Sequence, residues 1–236
     1  MYLLLSTITL ITMIKGMFIT GTDTGIGKTV VSCAILAKLK QMGLMVQGMK
    51  PIASGCELTK DGLRNEDAEA LIDNSSIIQD YDLVNPYAFE PPIAPHLIAA
   101  KLGVDIDIDL ILEKFNKLKT DMDSIIVEGV GGWQVPINET QTVANLAVRL
   151  NLPVVLVVGV RLGAINHAML TYDAICQSGL DCMGWVANIV EKNMLNSNEN
   201  IEAIQQRIEA PLLAKIPYQN SIDVQRIVSY FDNINI

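Results

Sequence analysis

The chain has 236 residues, half of them hydrophobic and 18% charged, with 17 Lys and Arg against 26 Asp and Glu for a net charge of −9. That length and apolar share suit one large domain with a sizeable core. The acidic balance argues against a nucleic-acid partner, whose phosphates need a basic face, and points to small molecules.

Four cysteines, Cys33, Cys56, Cys176 and Cys182, form no CxxC pair and no zinc spacing, which predicts buried free thiols in a reducing cytoplasm. The opening run MYLLLSTITLITMI is apolar, but no Lys or Arg precedes it and no small-residue cleavage site follows. It is also too short to span a bilayer. Residues 1–16 are therefore expected to be an appendage outside the fold, disordered or loosely packed, with a single domain over 17–236 and no membrane partner.

From Met17 three apolar residues run into Thr20-Gly-Thr-Asp-Thr-Gly-Ile-Gly-Lys-Thr29, the order of a strand feeding a phosphate-binding loop. In such a loop glycines let successive N–H groups converge on a polyphosphate, and the following helix offers its positive N-terminus to the same anion. Lys28 is placed to reach the terminal phosphates and Thr29 to hold Mg²⁺ through its hydroxyl. Gly21 and Gly27 enclose five residues where the usual spacing has four, and Thr22 stands where the first glycine normally falls. The helix that follows carries a stripe of Val31, Ile35, Leu39 and Met42, and Gly43 is its expected stop.

Leu44–Met49 reads as the second strand, ended by Lys50-Pro-Ile-Ala-Ser54-Gly55. Ligands of open parallel sheets bind beyond such strand ends, which makes Lys50 and Ser54 candidate site residues. A solvated lysine and a turn serine is the competing reading. Asn65 is a plausible helix cap with Glu66 and Asp67 in the first turn, where the dipole favours acids, so capping also accounts for Asp67. A proline-rich connection over 85–95 then leads to helices near 95–102 and 107–119.

Ser124-Ile-Ile-Val-Glu128 is an apolar strand ending in a carboxylate, followed by Gly129-Val-Gly-Gly132-Trp133. Beside a phosphate loop, an acid at that position suits a metal-associated role, and the glycines let backbone pass close to phosphate. The run Pro153–Val160 is apolar on both alternating faces, as only a central strand covered on both sides tolerates. Helix, strand, helix, strand and helix follow near 164–178, 183–190, 198–209, 212–216 and 222–232. The fold class is thus α/β, a P-loop NTPase-like, doubly wound, mostly parallel sheet with helices on both faces. His96 and His167 have no Cys or His at ligand spacing.

The stretches GTDTGIGKT (21–29), KPIASG (50–55), GLRNEDA (62–68), NPYAF (85–89), EGVGGW (128–133), VVGVRLGAINHAML (157–170) and GWVAN (184–188) resemble, in order, the signature of the dethiobiotin synthase (dethiobiotin synthetase) family of ATP-dependent enzymes of biotin biosynthesis. The likeness runs from about Met17 to Pro217 and includes the five-residue loop; Gly25 replaces an acid that some members carry, and Val130 an alanine. It implies carboxylation of 7,8-diaminononanoate (7,8-diaminopelargonate) with CO₂ and closure of a ureido ring, with ATP as co-substrate and Mg²⁺ as cofactor. It implies nucleotide contacts from Thr22, Asp23, Thr24, Gly25, Ile26, Gly27, Lys28, Thr29 and Val30, and from Asp67, Glu128, Gly131, Gly132, Asn188 and Pro217, with Asn188 at adenine. Thr29, Asp67 and Glu128 would surround the metal. Lys50, Lys28 and Thr24 would be catalytic, with Ser54 beside the diamine.

The same resemblance implies a cytoplasmic homodimer in which Gly163, Ala164, Ile165 and Asn166, opening a helix, receive the substrate carboxylate across the interface. A helix N-terminus suits a carboxylate. Two other classes share parts of the pattern. A partitioning or septum-positioning nucleotide switch usually carries a further lysine early in the loop, absent from 21–27, and an amidotransferase-like synthetase needs a glutaminase domain for which the chain has no room.

Overall fold

The computed structural model describes residues 16–231. The expected appendage lies outside them except for Gly16, which already belongs to the first strand. In chain order, β1 (Gly16–Gly21) leads through the glycine-rich loop to α1 (Lys28–Gln41) and then β2 (Val46–Met49). A long connection holds β3 (Ile52–Ser54), β4 (Glu57–Thr59), β5 (Gly62–Arg64), α2 (Glu66–Asn74), α3 (Tyr81–Val84), β6 (Tyr87–Phe89), α4 (Pro95–Leu102) and α5 (Ile108–Leu118). After β7 (Ser124–Glu128) come α6 (Val143–Leu150), β8 (Val154–Val160), α7 (Ala164–Gln177), β9 (Cys182–Ile189), α8 (Ser197–Gln205), β10 (Leu212–Ile216), α9 (Val224–Val228) and the 3₁₀ turn Ser229–Phe231.

Six strands form one sheet in the order β10-β9-β8-β1-β7-β2, every neighbouring pair parallel. Alternation along the strands feeds two separate cores. Phe18, Val154, Leu156, Val158 and Val160 pack on one face with Phe115, Trp133, Ile175 and Ile204, while Met17, Ile19, Val155 and Val157 pack on the other with Val31, Ile35, Leu36 and Ile227. This double cover explains why β8 has no polar face, and each such large side chain fully withdrawn from water contributes about 1.5–3 kcal/mol. The doubly wound fold expected from the sequence is the one observed.

The expected stripe on α1 is only part of its buried surface. Val31, Ile35 and Leu39 are buried, but so are Ser32, Cys33, Ala34, Leu36 and Ala37, because the helix lies between the sheet, α2 and α9. Met42 falls outside the helix as its C-cap and is 51% exposed. Among the cysteines Cys33, Cys56 and Cys182 are buried and free as expected, whereas Cys176 is exposed on α7. Four features have no counterpart in the sequence reading: the parallel pair β3–β6, the antiparallel hairpin β4–β5, the short helix α3, and α6 with its Thr142–Asn145 capping box. No helix among the described residues is long and apolar enough to cross a membrane.

Candidate functional site

The chemistry gathers at the C-terminal ends of three adjacent strands, where open parallel sheets bind ligands. In the register, Ile19 of β1 pairs with Glu128 of β7, and Met49 of β2 pairs with Val127. Lys50, one residue beyond β2, is therefore held beside Glu128, the last residue of β7. Around these ends lies a cavity of about 600 Å³. It is lined by Thr24, Gly25, Gly27, Lys28, Thr29, Val30, Lys50, Ser54, Asp67, Glu128 and Gly131, all singled out in the sequence.

The loop is shaped by two left-handed glycines, Gly25 at φ 71° and Gly27 at φ 87°. Gly27 caps α1 without any side-chain hydrogen bond, which leaves the first-turn N–H groups turned to the cavity with no partner from the cap. Its floor is pinned from below. The Thr22 N–H donates to Val157 O at 3.0 Å, Ile26 is buried, and Asn188 Nδ2 donates to Ile26 O at 2.7 Å. Asn188 thus supports the loop backbone, and a Cβ at Gly27 would stand 2.4 Å from its Nδ2. Gly131, at φ 61°, brings its backbone close to Thr24, whose Oγ1 lies 3.6 Å from where a Cβ would be, while Gly132 lies against Gly21 O.

Two lysines dominate the electrostatics. Lys28 Nζ donates to Asp23 O at 2.8 Å, and burial, reinforced by the nearby Lys50, pushes its pKa down to about 8. Lys50 is 4% exposed and its Nζ donates to Asp67 Oδ2 at 2.7 Å and to Glu128 Oε1 at 2.5 Å. Burial alone would lower the Lys50 pKa, but Glu128 and Asp67 outweigh it and hold the value above that of an ordinary lysine. For Asp67, burial is likewise outweighed by Lys50, so its carboxyl titrates below the usual range. Thr29 Oγ1 donates to the same Glu128 Oε1 at 2.9 Å, whereas Glu128 Oε2 is buried with no partner among the described residues.

Asp67 and Lys50 are also tied through backbone. Asn65 accepts from Ala68 N as the cap of α2, and its own N–H donates to Tyr81 Oη at 2.8 Å. Tyr81 Oη donates to Asn85 Oδ1 at 3.0 Å, and Asn85 Nδ2 donates to Lys50 O at 2.7 Å. The first turn of α2, which carries Asp67, is thereby fixed relative to the strand end that carries Lys50.

Some of the expected site residues lie outside this cavity. Thr22, Asp23, Ile26, Gly132 and Asn188 shape or brace the loop and Pro217 follows β10, none of them lining the cavity; Asp23 is paired with Arg161, just beyond β8. Gly163, Ala164, Ile165 and Asn166 open α7 and likewise lie outside this chain's own cavity. Cys33, Ala53, Asn65, Val130, Ile222 and Val224 line it without having been singled out as ligand contacts. Cys33 follows the loop's Thr29 by four positions and Ala53 lies inside the stretch 50–55, so their places were a usable signal. Arg161 had only its place after a buried strand.

The comparisons with known proteins agree with this geometry. A family model described as AAA domain matches residues 15–226. ATP-dependent dethiobiotin synthetase BioD of Xanthomonas axonopodis pv. citri is 50% identical over 206 residues, which cover 87% of this chain and 92% of that protein. The synthetase of the same name from Aromatoleum aromaticum is 45% identical, covering 91% of this chain and 96% of its own length. In fold, the septum site-determining protein MinD of Pyrococcus horikoshii, solved with Mg-ADP, superposes with a TM-score of 0.56 at 17% identity over 94% of this chain and 96% of that one. A ParA family ATPase from Chlorobium tepidum gives a TM-score of 0.54 at 16% identity, covering 92% and 90%. The likeness to MinD and ParA is one of fold alone. Half-identity over nearly the whole length of a synthetase is more than that, and the chain belongs to the ATP-dependent dethiobiotin synthetase family.

Proposed function

We propose that the protein is an ATP-dependent dethiobiotin synthase, carboxylating 7,8-diaminononanoate with CO₂ and closing the ureido ring while ATP becomes ADP and phosphate. The observation that carries this reading is the 50% identity to a named synthetase over 92% of that protein's length. One amine of the diamine adds to CO₂ and loses a proton to give a carbamate. A carbamate oxygen attacks the γ-phosphate, ADP leaves, and the second amine attacks the carbonyl of the mixed anhydride, releasing phosphate and closing the ring. Carbamate and triphosphate are both anions, so the protein's task is positioning and charge neutralisation.

In this reading the first-turn N–H groups of α1 and Lys28 hold the β- and γ-phosphates, with Thr24 and Gly131 flanking the loop's mouth. Lys50 neutralises the carbamate, and Ser54 orients the diamine. Asn188 and Pro217 border the adenine. The donor set fits Mg²⁺: Thr29 bonds Glu128, Lys50 bonds both Glu128 and Asp67, and the buried Glu128 Oε2, without a partner among the described residues, is an oxygen that a cation would satisfy. Among the described residues no group of three His, Cys, Asp or Glu suits a metal. An ion here would rely on few protein oxygens together with phosphate and water, as Mg²⁺ does. When bound, Mg²⁺ would offset the negative charge developing on the transferred phosphoryl group.

The active unit in this reading is a homodimer, because Gly163–Asn166 lie outside this chain's cavity and a second copy's α7 would bring its N-terminus to the diamine's carboxylate. Exposed Leu162 and Leu170 beside that N-terminus support such an interface. We assign the activity to the cytoplasm, a reading supported by the four free cysteines.

The test is to incubate the purified protein with the diamine, bicarbonate, ATP and Mg²⁺ and to quantify dethiobiotin by mass spectrometry against ADP. One ADP per dethiobiotin is expected. ATP hydrolysis without ring product would instead favour the switch-ATPase reading.

A further inference from the structure

We infer that Lys50 and the metal ion compete for the same two carboxylates, so that Mg²⁺ loading displaces the Lys50 ammonium and frees it for the carbamate. This rests on the metal assignment proposed above. Lys50 Nζ contacts Asp67 Oδ2 at 2.7 Å and Glu128 Oε1 at 2.5 Å, and Glu128 Oε1 also accepts from Thr29. Those are the side chains a cation between α1, α2 and β7 would use. A fully buried Glu128 beside a partly buried Asp67 with no counter-ion would be unfavourable, and Lys50 offsets that penalty by bonding both.

Glu128 Oε1 already accepts from both Lys50 and Thr29, so an ion drawn to Glu128 Oε2 and Asp67 must share both carboxylates with the ammonium, and two like charges held that close repel. Binding of the ion therefore breaks two charge-assisted hydrogen bonds, and the freed ammonium remains in the cavity it already lines beside Ser54 and Lys28. The consequence is an ordering device. Lys50 becomes available to a carbamate only once the metal stands between the carboxylates, so the cation that stabilises the nucleophile is withheld until the phosphate's own partner is in place.

The experiment measures metal binding without turnover. Free Mn²⁺ is counted by electron paramagnetic resonance in nucleotide-free wild type, Lys50→Met, Lys50→Arg and Lys28→Met. Lys50→Met is expected to bind Mn²⁺ at least tenfold more tightly than wild type. Lys50→Arg, which keeps a cation on the carboxylates, should bind no more tightly than wild type. Lys28→Met removes a charge from the same cavity that bonds neither carboxylate, and should tighten binding by threefold at most. In chelator, Lys50→Met should melt below wild type and regain more of its melting temperature on Mn²⁺ addition. Equal tightening in the two Met variants would overturn the inference, because the general field alone would then account for it, and so would unchanged affinity in Lys50→Met. If Lys50→Met does not fold, Lys50→Gln is read by the same criteria. Asp67→Asn and Glu128→Gln, titrated with Mn²⁺ in the presence of ADP, separate the two levels. Weakened Mn²⁺ binding there with no effect at Lys50 sinks only the competition, whereas no weakening in either variant sinks the metal site as well.

Discussion

Lys28 and Lys50 lie in one cavity, yet their surroundings push them in opposite directions. Lys28 is desolvated beside another cation and leans only on the Asp23 carbonyl, which leaves it ready to exchange that bond for a phosphate. Lys50 has two carboxylates and is held firmly protonated. Lys28→Met is accordingly expected to lower phosphoryl transfer by about 10²–10³-fold, the scale for losing one preorganised stabiliser, with the melting temperature kept or raised because a poorly solvated charge is removed. Single-turnover assays with labelled ATP and a thermal melt check both halves, and near-normal transfer in a folded Lys28→Met protein would remove the lysine from the phosphate site. At this scale the sequence was informative where chemistry demands a residue type at a fixed spacing, as in Gly27-Lys28-Thr29. It was silent on pairings such as Asp23 with Arg161, because residues 138 positions apart meet only through the order of the strands.

At the scale of elements, β8 and the phosphate loop depend on a missing side chain. A Cβ on Gly159 would stand 2.5 Å from Ile26 Cγ2 and 2.9 Å from Ile26 Cβ, atoms close enough to the backbone that the loop itself would have to shift. Gly159→Ala should cost about 1–3 kcal/mol of stability, as overpacking does, and weaken ATP binding more than substitution at a surface glycine such as Gly103. Denaturant melts and ATP titration test this, and unchanged ATP affinity would show that the loop is not braced by β8. Tyr81→Phe removes the hydroxyl that links Asn65 to Asn85. A loss of about 1 kcal/mol is expected, with kcat falling and the KM for ATP held, since the link positions Asp67 and Lys50 and not the loop amides. Elements with strong periodicity were legible: the buried strands, the helix cap at Asn65 and the helices near 95–102 and 107–119 all stand as read. The three-residue strands β3 to β6 were not, because so short a run shows no period, and β4 and β5 are mostly exposed and polar. α6 did carry a signal, Val143, Leu146, Ala147 and Leu150 at helical spacing, but it follows a glycine-rich turn that reads as continuing loop.

At the scale of the whole molecule, buried thiols and buried lysine set opposite slopes in alkaline stability. Burial pushes the pKa values of Cys33 and Cys182 from 9.0 up to about 12, and burial pushes Lys28 from 10.5 down to about 8. Stability rises with pH wherever the unfolded chain binds more protons than the folded one. Between about pH 8 and 9 the folded protein gives up the Lys28 proton while the unfolded chain keeps it, and the thiols are protonated in both states, so stability should rise. Between about pH 9 and 10 the unfolded chain still holds one more proton at Lys28 but two fewer at Cys33 and Cys182, a net deficit of one that the raised pKa of Cys56 deepens. Stability should therefore turn over near pH 9 and fall. Replacing Cys33 and Cys182 together by Ala should shrink the fall between pH 9 and 10 while leaving the rise from pH 8 to 9. Denaturant midpoints measured from about pH 7.5 to 10, no higher than the midpoint at which Tyr81 and Tyr172 titrate in the unfolded chain, decide the matter in wild type and the double variant. A wild-type curve that keeps climbing past pH 9 would mean that the thiols titrate as they do in water, and that the core around α1 and β9 admits more solvent than its packing implies.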